Sequence, residues 1–245
     1  MANTATASRA GISRAARVRK AVTVVVFVSL AASVVFLVWR IGSGGGVMEP
    51  AIRGRGDYVL MLLQCVVGLV ALGLPSLVQR RFSVQMPDSF LTLFFIFLFC
   101  AIYLGEVRSF YYVVPYWDTI LHTFSGVMLG ALGFSVVLLL NDAKTVGVTL
   151  SPAFIALFAG CFAVTWGVVW EFYEYAVDGL LGLNMQKTSL ADGTALTGTA
   201  ALSDTIKDLA VDCAGALSIS VVGFIMMKAK PGWLNRFDFQ QVQPD

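Results

Sequence analysis

The sequence predicts an all-α protein: a polytopic transmembrane helical bundle with six spans and both termini on the cytoplasmic side. Charged residues make up only 13% of the 245 residues, hydrophobic residues make up 58%, and the mean hydropathy is +0.79. A soluble domain carries about a quarter charged residues. A chain with half that share cannot cover a surface that faces water, so the lipid bilayer is its expected surrounding and partner.

Six apolar segments are long enough, or nearly so, to cross about 30 Å of hydrocarbon. They should be helices, because lipid offers the backbone no hydrogen-bond partner. The third segment is the shortest of the six. In chain order the segments are Ala21–Trp39, Tyr58–Gln79, Ser89–Gly105, Thr119–Leu140, Pro152–Tyr173 and Leu209–Met227. The first resembles a signal peptide, but its apolar run is longer and no convincing cleavage site follows, which favours a retained helix.

The regions outside the spans divide the chain into three parts. Residues 1–20 are predicted to be a disordered basic tail that lies against anionic headgroups, residues 21–230 the six-helix domain, and residues 231–245 a cytoplasmic tail. Gly42 to Gly46 read as a flexible linker. The stretch Gly182–Ala201 is interpreted either as a mobile flap over the outer face or as an unstructured surface loop. No internal repeat supports an inverted-repeat transporter.

The basic residues set the predicted orientation in the cell's inner (plasma) membrane. With the N-terminus inside, 11 of the 17 Lys and Arg residues lie on the cytoplasmic side. The same topology places 11 of the 15 Asp and Glu residues on the extracytoplasmic side. Acidic residues contribute little to orientation. Their accumulation on the outer side therefore needs another cause.

Several classes of function are disfavoured by composition and motifs. The net charge of +2 gives no reason to expect a nucleic-acid partner. The four cysteines lie singly in apolar runs and are interpreted as small hydrophobic fillers. A nucleophilic triad, a phosphate loop and a nucleotide fold are absent from the sequence. The oligomeric state is not predicted.

Polar side chains concentrate at the outer ends of the last three helices. Asp118 and His122 lie one turn apart at the start of the fourth, and Glu171 and Glu174 share a face at the end of the fifth. The sixth begins with a row of acids spaced four residues apart. We expect one imidazole and six carboxylates to meet at one depth: His122 with Asp118, Glu171, Glu174, Asp204, Asp208 and Asp212.

These acids exceed the nearby bases. An ionised residue near the bilayer centre costs about 2.5–3.5 kcal/mol and normally faces the bundle interior, and Asp212 lies well inside an apolar run. Lys207 and Arg108 are too few to neutralise six carboxylates. Either several of them are protonated or a cation binds there.

Structural roles compete with site roles for some of these residues. Asp204 and Asp178 fit helix capping or solvation at a helix end, and for Asp118 capping and a site role are equally favoured. Glu171 and Asp212, embedded in apolar sequence, favour a site. The aromatic residues of 110–117 and 170–175 fit an interfacial belt. Gly126, Gly130 and Gly133 fit a seam where helices pack closely.

The polar elements together resemble the YjdF-like family of predicted bacterial membrane proteins and, more distantly, the VanZ-like family. The shared elements are an Asp-x-x-x-His that opens one helix, here Asp118 and His122, a Glu-x-x-Glu, here Glu171 and Glu174, and an Asp-Thr-x-x-Asp that begins at Asp204. At the places where the VanZ-like form has Lys, Gln and Asn, this chain has Thr119, Glu174 and Asp212. The resemblance implies a site and no established reaction.

The favoured hypothesis is a metal-dependent hydrolase or transferase that acts on a lipid or envelope precursor at the outer leaflet. His and carboxylates suit Zn, Mn or Mg. Asp118, His122, Glu171 and Asp212 are predicted to be the ligands. A general base that activates water is predicted to be Glu174 or Asp208.

Two other functions stay open at this point. The first is an ion-coupled transporter in which Glu171 and Asp212 bind protons or cations, but the inner halves of the last three helices contain no ionisable residue. The second is a non-catalytic envelope component whose polar cluster only orders the outer loops.

Overall fold

The structure, a computed structural model, describes residues 2–43, 55–140, 150–190, 193–230, 232–237 and 240–241. Within this part of the chain it confirms the all-α prediction, with seven helices. Their bounds are Ala2–Gly42 (α1), Arg55–Phe82 (α2), Asp88–Leu98 (α3), Phe110–Val113 (α4), Trp117–Leu140 (α5), Pro152–Leu181 (α6) and Thr199–Ala229 (α7).

Among the residues that the structure describes, six stretches are long and apolar enough to cross a membrane, as the sequence predicted. The short third span is completed by a π-helix, Phe99–Val107, which continues α3 and gives a span of residues 88–107. Nothing in the sequence pattern indicated the π conformation. The orientation of the termini stays a prediction, and the Gly42–Gly46 linker lies mostly outside the described residues.

The first helix begins earlier than the predicted boundary at residue 20. Arg14 to Lys20 are helical, and the apolar span is counted from Arg14. Adding a turn to an existing helix costs little compared with nucleating one, so these residues can continue the span without apolar side chains. The predicted contact of this basic segment with headgroups stays a prediction.

The first compact unit contains α1 to α4. Its core is formed by apolar residues of α1, α2 and α3, including Leu30, Cys65 and Leu91. Arg19 Nε lies 3.0 Å from Asp88 Oδ1, which places Arg19 of α1 beside the first turn of α3. Cys65 fits the filler interpretation because it is fully buried. Cys161 and Cys213 instead lie on exposed helix faces.

The second compact unit contains α5, α6 and α7, which pack closely at glycines. A Cβ added at Gly126 would lie 2.5 Å from the Asp212 carbonyl oxygen, and one at Gly215 would lie 2.4 Å from the Thr123 carbonyl oxygen. A Cβ at Gly133 would lie 2.8 Å from Ala159 Cα. The predicted glycine seam is therefore confirmed. It brings α7 against α5 at the level of the polar residues.

Local sequence explains where α6 begins and ends. Ser151 accepts a hydrogen bond from the Phe154 N–H at 3.2 Å, and Pro152 occupies the first turn, where its missing N–H is not needed. Gly182 ends the helix in the left-handed conformation, with φ 64°. The helix therefore reaches two turns beyond the predicted end at Tyr173. Glu171, Glu174 and Asp178 all lie on it.

The segment 231–245, predicted as a cytoplasmic tail, contains regular structure in its described residues. Trp233–Phe237 forms a 3₁₀ helix, and Trp233 meets the fully buried Phe134 of α5 edge to face, with ring centroids 6.0 Å apart. Further on, Gln240–Gln241 (β2) pairs antiparallel with Val84–Gln85 (β1) in the first unit. The aromatic residues supply apolar area that a solvated tail would expose.

Candidate metal centre

His122 is the centre of the polar cluster, with carboxylates at both ring nitrogens. Its Nδ1 lies 3.3 Å from Asp212 Oδ2. Its Nε2 lies 3.7 Å from Asp118 Oδ1 and 3.9 Å from Asp208 Oδ2. The imidazole is mostly buried, with a side-chain exposure of 11%. Two helices therefore contribute to one compact arrangement around a single imidazole.

Helix periodicity and the glycine seam create this arrangement. Asp118 and His122 are one turn apart on α5, and Asp208 and Asp212 are one turn apart on α7. Each pair consequently presents two side chains on one face. Because Gly126 and Gly215 let α5 and α7 approach at backbone contact, short aspartate side chains reach across to the imidazole.

Asp212 is held on three sides. Ser125 Oγ lies 3.0 Å from Asp212 Oδ1 and 2.8 Å from the His122 carbonyl oxygen, and its one proton donates to either. On α6, a Cβ at Gly167 would lie 2.7 Å from Asp212 Oδ2, so the carboxylate packs directly on this glycine. The Asp212 side chain is only 4% exposed. It is positioned to accept a hydrogen bond from the Nδ1–H group and so to orient the ring.

Three residues present donor atoms close enough together for one metal ion. Asp118, His122 and Asp208 each offer a ligand atom, and these atoms all lie within 4.8 Å of one another. Their donor set, one imidazole nitrogen and two carboxylate oxygens, is one that Zn²⁺ and Mn²⁺ accept. The imidazole faces this position with Nε2, since Nδ1 faces Asp212.

Lys187 brings a positive charge to the cluster from the loop between α6 and α7. Its Nζ donates to Asp118 Oδ2 and, at 3.1 Å, to Asp204 Oδ1. Burial lowers the pKa of Lys187, but the carboxylates of Asp118 and Asp204 raise it more, so the pKa lies above its ordinary range and the ammonium stays charged. Asp204 is thus an ion-pair partner, and its predicted capping role is wrong because α7 already begins at Thr199.

Hydrogen bonds from side chains and from the backbone hold the loop that carries Lys187. The Asp178 carboxylate accepts hydrogen bonds from the backbone N–H groups of Met185 at 2.7 Å and Gln186 at 2.9 Å. Gln186 Nε2 donates to Thr205 Oγ1 at 3.0 Å. Leu196 N donates to the Thr188 carbonyl oxygen at 2.8 Å, which closes a hairpin-like turn. The described part of the predicted flap is therefore an ordered loop, and Asp178 fastens it.

Glu171 and Glu174 are both buried on α6, but they differ in their hydrogen bonds. Trp170 Nε1 donates to Glu174 Oε1 at 2.8 Å, so this tryptophan does more than fill the predicted aromatic belt. Glu171 is 4% exposed, and neither of its carboxylate oxygens has a hydrogen-bond partner among the described residues. Thr205 of α7 is a polar neighbour of this carboxylate.

The structure distributes the predicted site residues over distinct positions. Asp118 and His122 lie together as expected, and Asp208, predicted as a general base, joins them in place of Glu171. Asp212, predicted as a ligand, lies at the opposite ring nitrogen. Lys187 and Ser125 were missed. Lys187 lies in a loop without periodicity, and a serine on an apolar helix gives no signal that it faces a carboxylate.

Removing the Lys187 charge is expected to destabilise this unit. Lys187→Met leaves Asp118 and Asp204 without their ammonium, which costs about 1–2 kcal/mol. This is less than the ~3–5 kcal/mol of a fully buried pair, because a third of the lysine side chain is exposed. Thermal unfolding in detergent measures the loss. Lys207→Met, on the exposed side of α7, is the matched control and should leave the melting temperature unchanged.

Comparison with known proteins gives one match. Residues 22–229 match the family model described as "Predicted membrane protein (DUF2238)". All the residues of the polar cluster lie within that range. No curated protein and no solved structure matches the chain.

Proposed function

This chain belongs to the DUF2238 family of predicted membrane proteins, and on that premise we propose that it is a metal-dependent hydrolase or transferase acting on a lipid or envelope precursor. DUF2238 is the YjdF family, which agrees with the resemblance drawn from the sequence. The more distant similarity to VanZ-like proteins stays a hypothesis. We also propose that the site faces the extracytoplasmic side of the inner membrane, on the support of the basic-residue count.

One observation carries the proposal: carboxylate oxygens of Asp118 and Asp208 lie within 4.8 Å of Nε2 of an imidazole whose Nδ1 is already oriented by a buried carboxylate. Histidines that bind metals almost always donate their other ring N–H to a carboxylate or carbonyl, which fixes the tautomer. Asp212 has this position relative to His122. In the proposal Asp118, His122 and Asp208 bind the cation, and Asp212 orients the imidazole.

The bound cation would supply two kinds of chemistry. It would polarise a carbonyl or phosphoryl oxygen, and it would lower the pKa of a bound water towards neutrality. Glu174 remains the proposed general base, since Trp170 fixes its orientation and Asp208 is assigned to the metal. The remaining residues of the cluster bind and orient: Lys187 holds Asp118 from the loop, and Ser125 holds Asp212.

Lipid analysis tests the proposed activity. Membranes from cells that overproduce the wild-type chain are compared by mass spectrometry with membranes from cells that overproduce Asp208→Asn. The proposal predicts that one lipid or lipid-linked precursor is depleted, and a product gained, only with the wild-type chain. Addition of a membrane-permeant chelator should abolish the difference. Identical lipid profiles at equal protein levels would contradict the proposal.

Replacing Asp212 is expected to weaken metal binding without removing a ligand. Asp212→Asn removes the negative charge of the carboxylate that accepts the hydrogen bond from Nδ1–H. Loss of such an outer partner costs about 10- to 100-fold in metal affinity. Competition with a chromophoric chelator measures the Zn²⁺ dissociation constant of the purified protein. Asp57→Asn, a matched change in the first turn of α2, should leave that constant unchanged.

A second candidate function is a non-catalytic envelope component. The observation that favours it is the pairing of Lys187 with Asp118 and Asp204, which ties an outer loop to two helices without any metal. This candidate predicts that Asp208→Asn alters neither lipid composition nor metal content, and that Lys187→Met impairs both folding and the cellular role. Loss of metal in Asp208→Asn with a normal melting temperature would exclude it.

A further inference from the structure

Glu171 is an unsatisfied carboxylate in the interior of the second unit. Only 4% of the residue is exposed, and both carboxylate oxygens are buried without a hydrogen-bond partner in the described part of the chain. Burial of an ionised carboxylate without a partner is strongly unfavourable. An ionised carboxylate in this position needs a positive partner, and no described residue forms a hydrogen bond or an ion pair with it.

The other acidic residues at these helix ends already have partners among the described residues. Asp212 contacts His122 and Ser125, and Asp208 contacts His122. The partners of the remaining four are Lys187 for Asp118 and Asp204, Trp170 for Glu174, and the loop backbone for Asp178. Among these residues, Glu171 is thereby the carboxylate whose two oxygens both have no hydrogen-bond partner.

The surroundings of Glu171 carry excess negative charge. Glu174 lies three residues along the same helix face, and Glu171 is the charged neighbour that acts most strongly on it. The imidazole of His122 is a further neighbour of both glutamates. Lys187 is held instead between Asp118 and Asp204. The local field therefore favours a cation over an anion or a neutral ligand.

We propose that Glu171 anchors a second cation site, which completes a two-cation centre with the Asp118/His122/Asp208 position. Glu171 offers two oxygens to the ion, and Glu174 lies three residues further along the same helix. Oxygen-only coordination suits a hard cation such as Mg²⁺ or Mn²⁺, whereas the imidazole position also suits Zn²⁺. The inference rests on the proposed function, because the second ion extends the proposed metal centre.

A two-cation centre narrows the class of substrate. Mg²⁺ bound by one or two carboxylates normally completes its coordination with water and phosphate oxygens. Paired cations stabilise both the attacking and the leaving oxygen in phosphoryl transfer and phosphate-ester hydrolysis. The substrate class that fits is a lipid or lipid-linked precursor with a phosphate or diphosphate group.

Binding of Mn²⁺ tests this inference on the full-length protein. The protein in nanodiscs is stripped with a chelator and titrated with Mn²⁺, and the free ion is counted by electron paramagnetic resonance. We expect two bound ions per wild-type chain and one per Glu171→Gln chain. Glu106→Gln, the same change in the first unit, is the control and should keep two. Glu171→Gln that keeps two ions would overturn the inference.

A milder variant covers the case in which Glu171→Gln does not fold, and the number of bound ions separates the second site from the proposed function. If Glu171→Gln does not fold, Glu171→Asp replaces it, and the weaker of the two dissociation constants should rise by about tenfold; an unchanged constant would overturn the inference. One ion in the wild type, lost in Asp208→Asn and kept in Glu171→Gln, overturns the second site alone and leaves the proposed function standing. No bound ion in any chain contradicts both.

Discussion

Alanine at His122 is expected to abolish stoichiometric Zn²⁺ binding at the Asp118/His122/Asp208 position. The change removes the one nitrogen donor and also separates Asp212 from the ion, so that only carboxylates remain. Because loss of an outer partner alone costs about 10- to 100-fold in affinity, loss of the ligand itself should exceed about 100-fold. Competition titration with a chromophoric chelator on the purified protein measures it.

The control for this prediction keeps the imidazole and changes its neighbour. Ser125→Ala removes the hydroxyl that contacts Asp212 and should weaken Zn²⁺ binding by less than Asp212→Asn does. His122→Ala that binds Zn²⁺ as tightly as wild type would contradict the assignment of His122 as a ligand. Circular dichroism on the same samples establishes that the variant remains helical.

Alanine at Gly215 is expected to cause the largest loss of stability among single changes in the second unit. Its Cβ would lie 2.4 Å from the Thr123 carbonyl oxygen, a backbone atom that cannot move aside alone. Helices α5 and α7 must then separate, which costs about 3 kcal/mol, the upper end of ordinary overpacking. We expect a lower melting temperature and, because the two helices carry the ligands, weaker metal binding.

A matched control exists in the neighbouring helix. A Cβ at Gly179 of α6 meets nothing within 4 Å. Gly179→Ala should therefore be neutral or stabilise the protein by up to about 1 kcal/mol, since alanine is the better helix former. Equal melting temperatures for Gly215→Ala and wild type would mean that α5 and α7 do not pack as described.

The sequence predicts the spans well because membrane burial depends on a simple quantity, the length of an apolar run. It also predicts which side chains share a helix face, since that depends only on a period of 3.6 residues. Asp118 with His122 and Asp208 with Asp212 were found in this way. The glycine seam was found because small residues recur on one face of α5.

The roles within the cluster depend on three-dimensional register, which periodicity does not supply. Whether Asp208 or Asp212 faces Nε2 is decided by how far α7 is shifted along α5, and that shift is set by backbone contacts at Gly126 and Gly215. Lys187 reaches the cluster only because Asp178 fastens the loop. The orientation in the membrane and the roles of Glu171 and Glu174 stay predictions.

Direct observation of the ion tests the central claim. Crystals or cryo-EM samples of the full-length protein are loaded with Zn²⁺, and density is sought between Asp118, Asp208 and His122 Nε2. The proposal predicts a peak about 2.0–2.2 Å from all three, with Asp212 still at Nδ1. A site without density at saturating Zn²⁺, with Lys187 still bound to Asp118 and Asp204, would contradict it.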